Sequence, residues 1–192
     1  MKLLNDNLIR QLLVSTLVAL MLVGLPVRTA MAQPITIPGE YTPEGNANVT
    51  YPDGFFGNKT KVEIGSNKSI IEWITMDTTA DEILTFTRDG GSNYSVLNRV
   101  RCDWNGTQFN GTLNALNGNI IIVDPRGIAF GPESQVKARK FTASGLHMSY
   151  DDFMNETGIN GSPDDIRYQF FKDVYAGSVE LDGSINAEQV RL

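Results

Sequence analysis

The sequence predicts an all-β protein made of many short strands that are joined by tight turns. From Lys61 onward, apolar and polar residues alternate in short runs that end in Gly, Asn or Asp. This pattern is typical of strands with one buried face. The densest block of strand-forming residues runs from Ile120 to Ala143, and a related pattern returns between Val179 and Leu192.

Residues 1–32 are predicted to form a signal peptide. Lys2 and Arg10 supply its positive charge, and the stretch from Leu12 to Leu25 is almost entirely apolar. Ala30-Met31-Ala32 is a small-x-small site, so we expect cleavage before Gln33. The apolar stretch is short for a membrane span, which needs about 20 residues. An uncleaved N-terminal anchor is the alternative.

Residues 33–60 are predicted to form an extended or capping segment. The segment is rich in Pro, Gly, Thr and Asn, and its prolines are Pro34, Pro38, Pro43 and Pro52. Proline breaks helices and cannot donate a hydrogen bond to a central ladder. We therefore expect an edge strand or a cap here.

The runs after residue 60 differ in how their strands are buried. Val62 and Ile64 alternate with charged residues before Gly65-Ser66-Asn67 turns the chain. Ile120 to Val123 is instead a continuous apolar run, which is typical of a strand covered on both faces. The best helical candidate is Ser149 to Thr157, because acidic residues lie near its predicted N-terminus.

The repeated order of strand, tight turn and strand fits two architectures. In a coiled parallel β-solenoid, each coil pairs with the next about 4.8 Å away and inward Val, Ile, Leu and Phe stack into a core. An ordinary β-sandwich contains the same short strands. Periodicity alone favours neither architecture over the other.

Composition excludes several classes of function. The formal net charge is −6 and the one dense basic run is Lys137 to Lys140, so we expect no nucleic-acid partner. One cysteine, Cys102, and one histidine, His147, leave no internal disulfide and too few ligands for a structural zinc site. A Ser-His-acid triad would need His147, and no Gly-x-Ser-x-Gly elbow accompanies it. We predict no catalytic residue, no metal and no cofactor.

A series of short motifs follows in order between Lys61 and Ser144. They are Ile70, Ile71 and Trp73; a Leu-Asn-Arg-Val block with Asn98 and Arg99; Gly111-Thr112-Leu113; Asn117-Gly118; Ile120 to Val123; Asp124-Pro125-Arg126-Gly127-Ile128; Phe130-Gly131; and Phe141-Thr142-Ala143-Ser144. No single motif is specific. The ordered series resembles the haemagglutination-activity, or two-partner-secretion, domain found at the N-terminus of filamentous-haemagglutinin-like adhesins.

The resemblance implies a right-handed parallel β-helix with N-terminal capping strands, and it assigns residues 61–192 to the secretion domain. It implies passage through the periplasm, recognition by a dedicated outer-membrane transporter, and a final place outside the cell or on its surface. It also implies an adhesin or haemagglutinin, with receptors or glycans on host or neighbouring cells as further partners. The strand pattern is still repeating at Leu192, so we expect a truncated, split or unusually short member of this family.

The turn from Asp124 to Gly127 is the first group of candidate site residues. Asp124 and Arg126 stand where the family usually has asparagine. Asp124 should keep the turn, because Asp and Asn both bond nearby backbone amides, whereas Arg126 adds charge and size at the turn tip. We expect Pro125 to fix the approach to the turn and Gly127 to need a backbone conformation that a Cβ opposes.

Two asparagine motifs form the second group. Asn98 precedes Arg99 in the Leu-Asn-Arg-Val block, and Asn117 precedes Gly118. We expect both asparagines to satisfy turn amides and to stack with equivalent residues on neighbouring coils. Their role is then structural rather than catalytic.

Two other functions share this architecture. A carbohydrate-active β-helix enzyme would use carboxylates grouped across a groove. The acidic pairs Asp151-Asp152 and Asp164-Asp165 are interpreted as solvated turns instead, because adjacent strand residues point to opposite faces. The secretion domain of a haemolysin or contact-toxin exoprotein would carry the same motifs, with its effector part beyond residue 192.

Overall fold

The structure of the chain is a computed structural model that describes residues 33–34, 47–54, 57–101, 105–155, 170–172 and 175–192. The predicted signal peptide, residues 1–32, lies outside the described residues, as do Cys102, Thr157 and Asp164-Asp165. None of the described helices is long and apolar enough to cross a membrane. Within the same residues, no group of three or more His, Cys, Asp and Glu side chains is placed to hold a metal ion.

The described residues form short strands and one short helix, as the alternating pattern predicted. The strands are β1 Gln33–Pro34, β2 Ala47–Thr50, β3 Lys59–Ile64, β4 Lys68–Thr75, β5 Ile83–Thr87, β6 Tyr94–Val100, β7 Thr107–Phe109, β8 Thr112–Val123, β9 Ile128–Phe130, β10 Gln135–Ser144, β11 Val179–Leu181, β12 Ser184–Asn186 and β13 Gln189–Arg191. The helix α1 is Tyr150–Asn155, and a 3-10 turn occupies Asp89–Gly91.

The strands stack in parallel along three faces, which we call ladders one, two and three. Ladder one runs through β3, β5, the first half of β8, the first half of β10, and β12. Ladder two runs through β4, β6, the second half of β8, the second half of β10, and β13. Ladder three contains β7, β9 and β11. Successive coils of one chain therefore pair with each other, which confirms the parallel β-solenoid and rules out the sandwich.

Two antiparallel strands cover the N-terminal edges of the first two ladders. Strand β2 pairs with β3, with Val49 opposite Val62. Strand β1 pairs with β4, with Pro34 opposite Trp73. An edge strand exposes unpaired backbone groups that invite further strand pairing. Strands β1 and β2 thus occupy the edges of β4 and β3 that would otherwise be open to further pairing.

The interior of the solenoid is a narrow apolar core. Val62 pairs with Phe86 across neighbouring coils, and both side chains are buried. Three phenylalanines from different strands continue the core: the ring centroids of Phe109 and Phe130 lie 5.8 Å apart, and those of Phe130 and Phe141 lie 5.6 Å apart in an edge-to-face contact. Such aromatic geometries stabilise the core beyond their buried area.

A second apolar cluster lies on the outer surface of ladder two. Ile120 and Ile122 face the interior, whereas Ile121 and Val123 face outward and are buried beneath Met148 and Phe153. The prediction that Ile120 to Val123 is covered on both faces is confirmed.

Helix α1 supplies the outer cover and falls inside the predicted helical segment. The Asp152 backbone N–H donates to Ser149 Oγ at 3.0 Å, and the Ser149 hydroxyl donates back to the Asp152 carboxylate. This is an N-cap, which satisfies donors that the first turn of a helix leaves without partners. Asp151 and Asp152 therefore begin a helix rather than form the solvated turn that was predicted.

Candidate functional site

The turn from Asp124 to Gly127 connects β8 to β9 at one corner of the solenoid. The Gly127 N–H donates to the Asp124 carbonyl at 2.9 Å, and the Arg126 N–H donates to Asp124 Oδ1 at 3.0 Å. The Asp124 side chain thus bonds the backbone within its own turn, as predicted. The Pro125 carbonyl accepts a hydrogen bond from Gly177 at 2.9 Å, so a later segment of the chain packs directly against the turn.

Asp124 also ties this turn to neighbouring coils. Its side chain is fully buried, and Thr107 Oγ1 donates to Asp124 Oδ2 at 2.9 Å. Arg126 Nε lies 3.4 Å from Asp124 Oδ1, while the Asp124 N–H donates to the Ser144 carbonyl at 3.1 Å. A buried carboxylate is tolerated only where donors surround it, and these contacts supply them. Asp124 therefore joins the coil before and the coil after to its own.

Gly127 belongs to a stack of glycines at this corner. Its φ is +117°, and a Cβ would lie 3.0 Å from the Ser178 carbonyl oxygen. Gly106, one coil earlier, has φ +75°, and its Cβ would lie 2.7 Å from the Gly127 carbonyl oxygen. On the other side, a Cβ on Gly177 would lie 2.2 Å from the Gly127 nitrogen. Three successive layers of this corner therefore leave no room for a Cβ. This supports the expectation that Gly127 needs a backbone conformation that a Cβ opposes.

Asn98 lies inside the solenoid and not in a turn. It is the fifth residue of β6, it is fully buried, and its Oδ1 accepts a hydrogen bond from Trp73 Nε1 at 2.9 Å. Its Nδ2 donates to the Ile121 carbonyl at 3.2 Å. The expectation that Asn98 satisfies turn amides was wrong, because its position in the strand alternation points it inward. It instead provides hydrogen bonds to the coil before and the coil after.

Arg99 points to the opposite surface from Asn98. Arg99 Nη1 lies 3.4 Å from Glu72 Oε1, and Arg101 Nη1 lies 2.7 Å from Glu72 Oε2. In the register of ladder two, Arg99 is opposite Val123, the residue before Asp124. Arg99 therefore lies on the outer surface near the corner that carries the Asp124 to Gly127 turn.

Asn117 and Gly118 occupy the other end of ladder two. Asn117 is exposed at the corner where β8 passes from ladder one to ladder two. Gly118 pairs with Tyr94, and a Cβ on Gly118 would lie 2.9 Å from the tyrosine ring. Burial raises the pKa of Tyr94 above its usual range, and the hydroxyl donates to the Phe86 carbonyl at 2.9 Å. Gly118 thus leaves room for a buried tyrosine.

The structure brings together some of the predicted site residues and separates others. Arg99 and the Asp124 to Gly127 turn lie at one corner of the solenoid, and Asn117 and Gly118 lie at the opposite corner of the same ladder. The cleavage-site residues Ala30 and Ala32 lie outside the described residues, and Gln33 is the first residue of β1. The arrangement offers hydrogen-bonded turns and a partly exposed guanidinium at a surface corner.

Sequence reasoning missed three members of the corner. Gly106, Thr107 and Gly177 come from segments that no motif singled out, yet each contacts the turn. The available signal was weak: a glycine stands immediately before or near the start of each strand of ladder three. Their contacts depend on the length of each coil, which local patterns do not reveal.

Comparison with known proteins yields a structural relative. No protein-family model matches the chain, and no curated protein matches it. Among solved structures, the crystal structure of the HMW1 secretion domain from Haemophilus influenzae superposes with a TM-score of 0.57 at 25% sequence identity. The chain is similar to a secretion domain. The resemblance to two-partner-secretion domains that the motifs indicated is therefore confirmed.

The match covers 74% of this chain and 34% of the HMW1 chain, so this chain spans about a third of the length of that relative. The similarity therefore extends over most of the chain rather than over one motif.

Proposed function

We propose that this chain is the secretion domain of a two-partner exoprotein, which an outer-membrane transporter recognises after passage through the periplasm. The observation that carries the proposal is the polarity of the solenoid. Antiparallel strands cover the N-terminal edges of β3 and β4. At the other end, β12 and β13 pair only with β10 among the described residues, so their outer edges are open.

The open end is a template on which further coils can form. Leu181 and Val190 occupy inward positions, opposite Phe130 and Phe141, yet they are 39% and 42% exposed. A coil that added to this end would bury these side chains and pair the free backbone edges. Burial of apolar surface and strand pairing are both favourable. Each added coil outside the membrane therefore opposes return of the chain through the transporter.

The corner with Arg99 and the Asp124 to Gly127 turn is the proposed recognition surface. Asp124 is buried and holds the turn rigidly, whereas the side chain of Arg126 is partly exposed. A rigid turn with a guanidinium at its tip suits a protein partner, because it loses little conformational entropy on binding. No described residue points specifically to a receptor or a glycan, so the proposal is confined to export and assigns no catalytic role.

The test is secretion of the chain with and without its transporter. We expect the 192-residue chain to reach the medium when it is co-expressed with a two-partner transporter encoded beside its gene, and to remain cell-associated without it. The measurement is the amount of chain in the medium by immunoblot. Equal amounts with and without the transporter, or none in either case, would contradict the proposal.

A pair of variants separates the fold of the turn from its exposed charge. Gly127→Val should lower export more than Arg126→Ala, because a β-branched residue strongly disfavours a φ of +117°. Arg126→Ala keeps the backbone bond to Asp124 and removes only the side chain. Equal yields for the two variants in the co-expression assay would contradict this account of the turn.

A further inference from the structure

Helix α1 lies outside the ladders, and its buried apolar contacts with the solenoid are made with one patch. The patch, which we call the outer stripe, consists of Ile70 on β4, Leu97 on β6, and Ile121 and Val123 on β8. Ile70, Leu97 and Ile121 are in register across three consecutive coils. Helix α1 and the residues before it place Phe153 and Met148 on this stripe, where both are fully buried.

The ammonium of Lys68 binds the C-terminal end of the helix. Lys68 Nζ donates to the Phe153 carbonyl at 2.8 Å and to the Met154 carbonyl at 3.2 Å. The same ammonium lies 5.5 Å from the centroid of the Phe153 ring. The last carbonyls of a helix have no partner within the helix, and a cation there is favourable. Lys68 therefore satisfies the end of a helix that lies 85 residues later in the chain.

The helix is too short to be stable in isolation. It has six residues, whereas isolated helices shorter than about 12–15 residues are marginal in water. It lies between β10 and β11 in sequence, and its backbone pairs with none of the described strands. Undocking of α1 would therefore break side-chain contacts and the Lys68 bonds without breaking any ladder hydrogen bond.

We propose that α1 is a latch that opens and closes over the outer stripe while the solenoid stays folded, with Lys68 as the residue that holds it closed. The stripe is complete only when β4, β6 and β8 are all in place, so the latch closes after these coils have formed. Once closed, it fastens the first of these coils to the third. This inference does not depend on the proposed role in export.

Native-state hydrogen exchange of the 192-residue chain tests the latch directly. Amides of Tyr150–Asn155 should exchange faster than those of Ile120 to Val123, because local opening costs less free energy than global unfolding. Lys68→Met keeps an unbranched side chain of similar length and removes the ammonium. It should accelerate exchange in α1 roughly tenfold, as expected for the loss of hydrogen bonds from a charged donor, and leave Ile120 to Val123 unchanged.

The matched control is Lys137→Met, which removes an exposed lysine of β10 on the outer surface of ladder one. This control should leave exchange in α1 unchanged. Equal acceleration of α1 and of Ile120 to Val123 in Lys68→Met would overturn the latch, because the two would then open as one unit. An unchanged rate in α1 would overturn the role of Lys68.

A second variant opens the latch outright. Phe153→Asp should increase binding of an apolar dye such as anilinonaphthalene sulfonate several-fold and speed proteolysis near α1, with the far-ultraviolet circular dichroism of the solenoid retained. Tyr175→Asp is the control, because Tyr175 is an exposed aromatic residue that, like α1, lies between β10 and β11 in sequence. Loss of the β-sheet spectrum in Phe153→Asp would show that α1 is part of the obligatory core and would refute the proposal.

Discussion

At the scale of single residues, polar side chains inside the solenoid connect successive coils. Asn98 accepts a hydrogen bond from Trp73 on the preceding coil and donates one to Ile121 on the following coil. Asp124 similarly accepts a hydrogen bond from Thr107 and holds its own turn. Buried polar groups are costly unless they are bonded, and fully bonded ones favour a unique arrangement. These two residues help to set the register between coils.

We expect Asn98→Ala to lower the free energy of unfolding by about 2 kcal/mol or more, because the buried Trp73 indole N–H loses its acceptor and a cavity replaces the amide. Asn117→Ala is the matched control, since Asn117 is exposed at a corner. This control should change stability by less than about 0.5 kcal/mol. Urea denaturation followed by circular dichroism measures both values, and similar losses would contradict the assigned role of Asn98.

At the scale of elements, the corners decide how closely coils can stack. Gly106, Gly127 and Gly177 approach one another so closely that a Cβ on any of them would meet backbone atoms of a neighbouring layer. The coils at this corner are also joined by the hydrogen bond from the Thr107 N–H to the Gly127 carbonyl at 3.0 Å. Larger residues would separate the layers and weaken the ladder hydrogen bonds beside them.

Gly106→Ala tests this packing, with Gly90→Ala as its control. The two glycines have similar φ values, +75° and +72°, but a Cβ on Gly106 would lie 2.7 Å from a carbonyl oxygen whereas one on Gly90 meets nothing within 4 Å. Both substitutions should cost about 1–2 kcal/mol for the left-handed conformation. Gly106→Ala should cost about 1–3 kcal/mol more because of the clash. Equal midpoints of urea denaturation for the two variants would contradict the close packing of the glycines at this corner.

At the scale of the whole molecule, the aromatic stack spans several coils. Phe109, Phe130 and Phe141 lie on β7, β9 and β10, and each is fully buried. In a solenoid each coil contacts mainly its neighbours, so stability depends on the interfaces between coils. The central phenylalanine contributes to two such interfaces.

We expect Phe130→Ala to lower the free energy of unfolding by about 3–5 kcal/mol, as for other buried aromatic truncations. Leu116→Ala is the control, because Leu116 is 74% exposed at a corner of β8. Its effect should be below about 0.5 kcal/mol. The measurement is the midpoint and slope of urea denaturation, and a loss below about 1 kcal/mol for Phe130→Ala would contradict a core shared between coils.

Several features of the fold could be predicted from local patterns. The alternation around Val62 and Ile64 marked a half-buried strand, and the unbroken run from Ile120 to Val123 marked a strand covered on both faces. Ser149 with acidic residues after it marked the start of α1. The ordered motifs indicated the solenoid, which periodicity alone did not separate from a sandwich.

The amino-acid sequence by itself indicated many of the short strands, several of their turns and the short helix, because backbone preferences and burial periodicity act between residues a few positions apart. Only the tertiary structure decided that Asn98 faces the core, that Gly106 and Gly177 enclose Gly127, and that Lys68 holds α1. Those contacts join residues from different coils, up to 85 positions apart for Lys68 and Phe153. The number of residues in each coil decides which residues of neighbouring coils come into contact. Local sequence patterns do not reveal that number, because it is fixed only when the apolar side chains of one coil pack against those of the next coil.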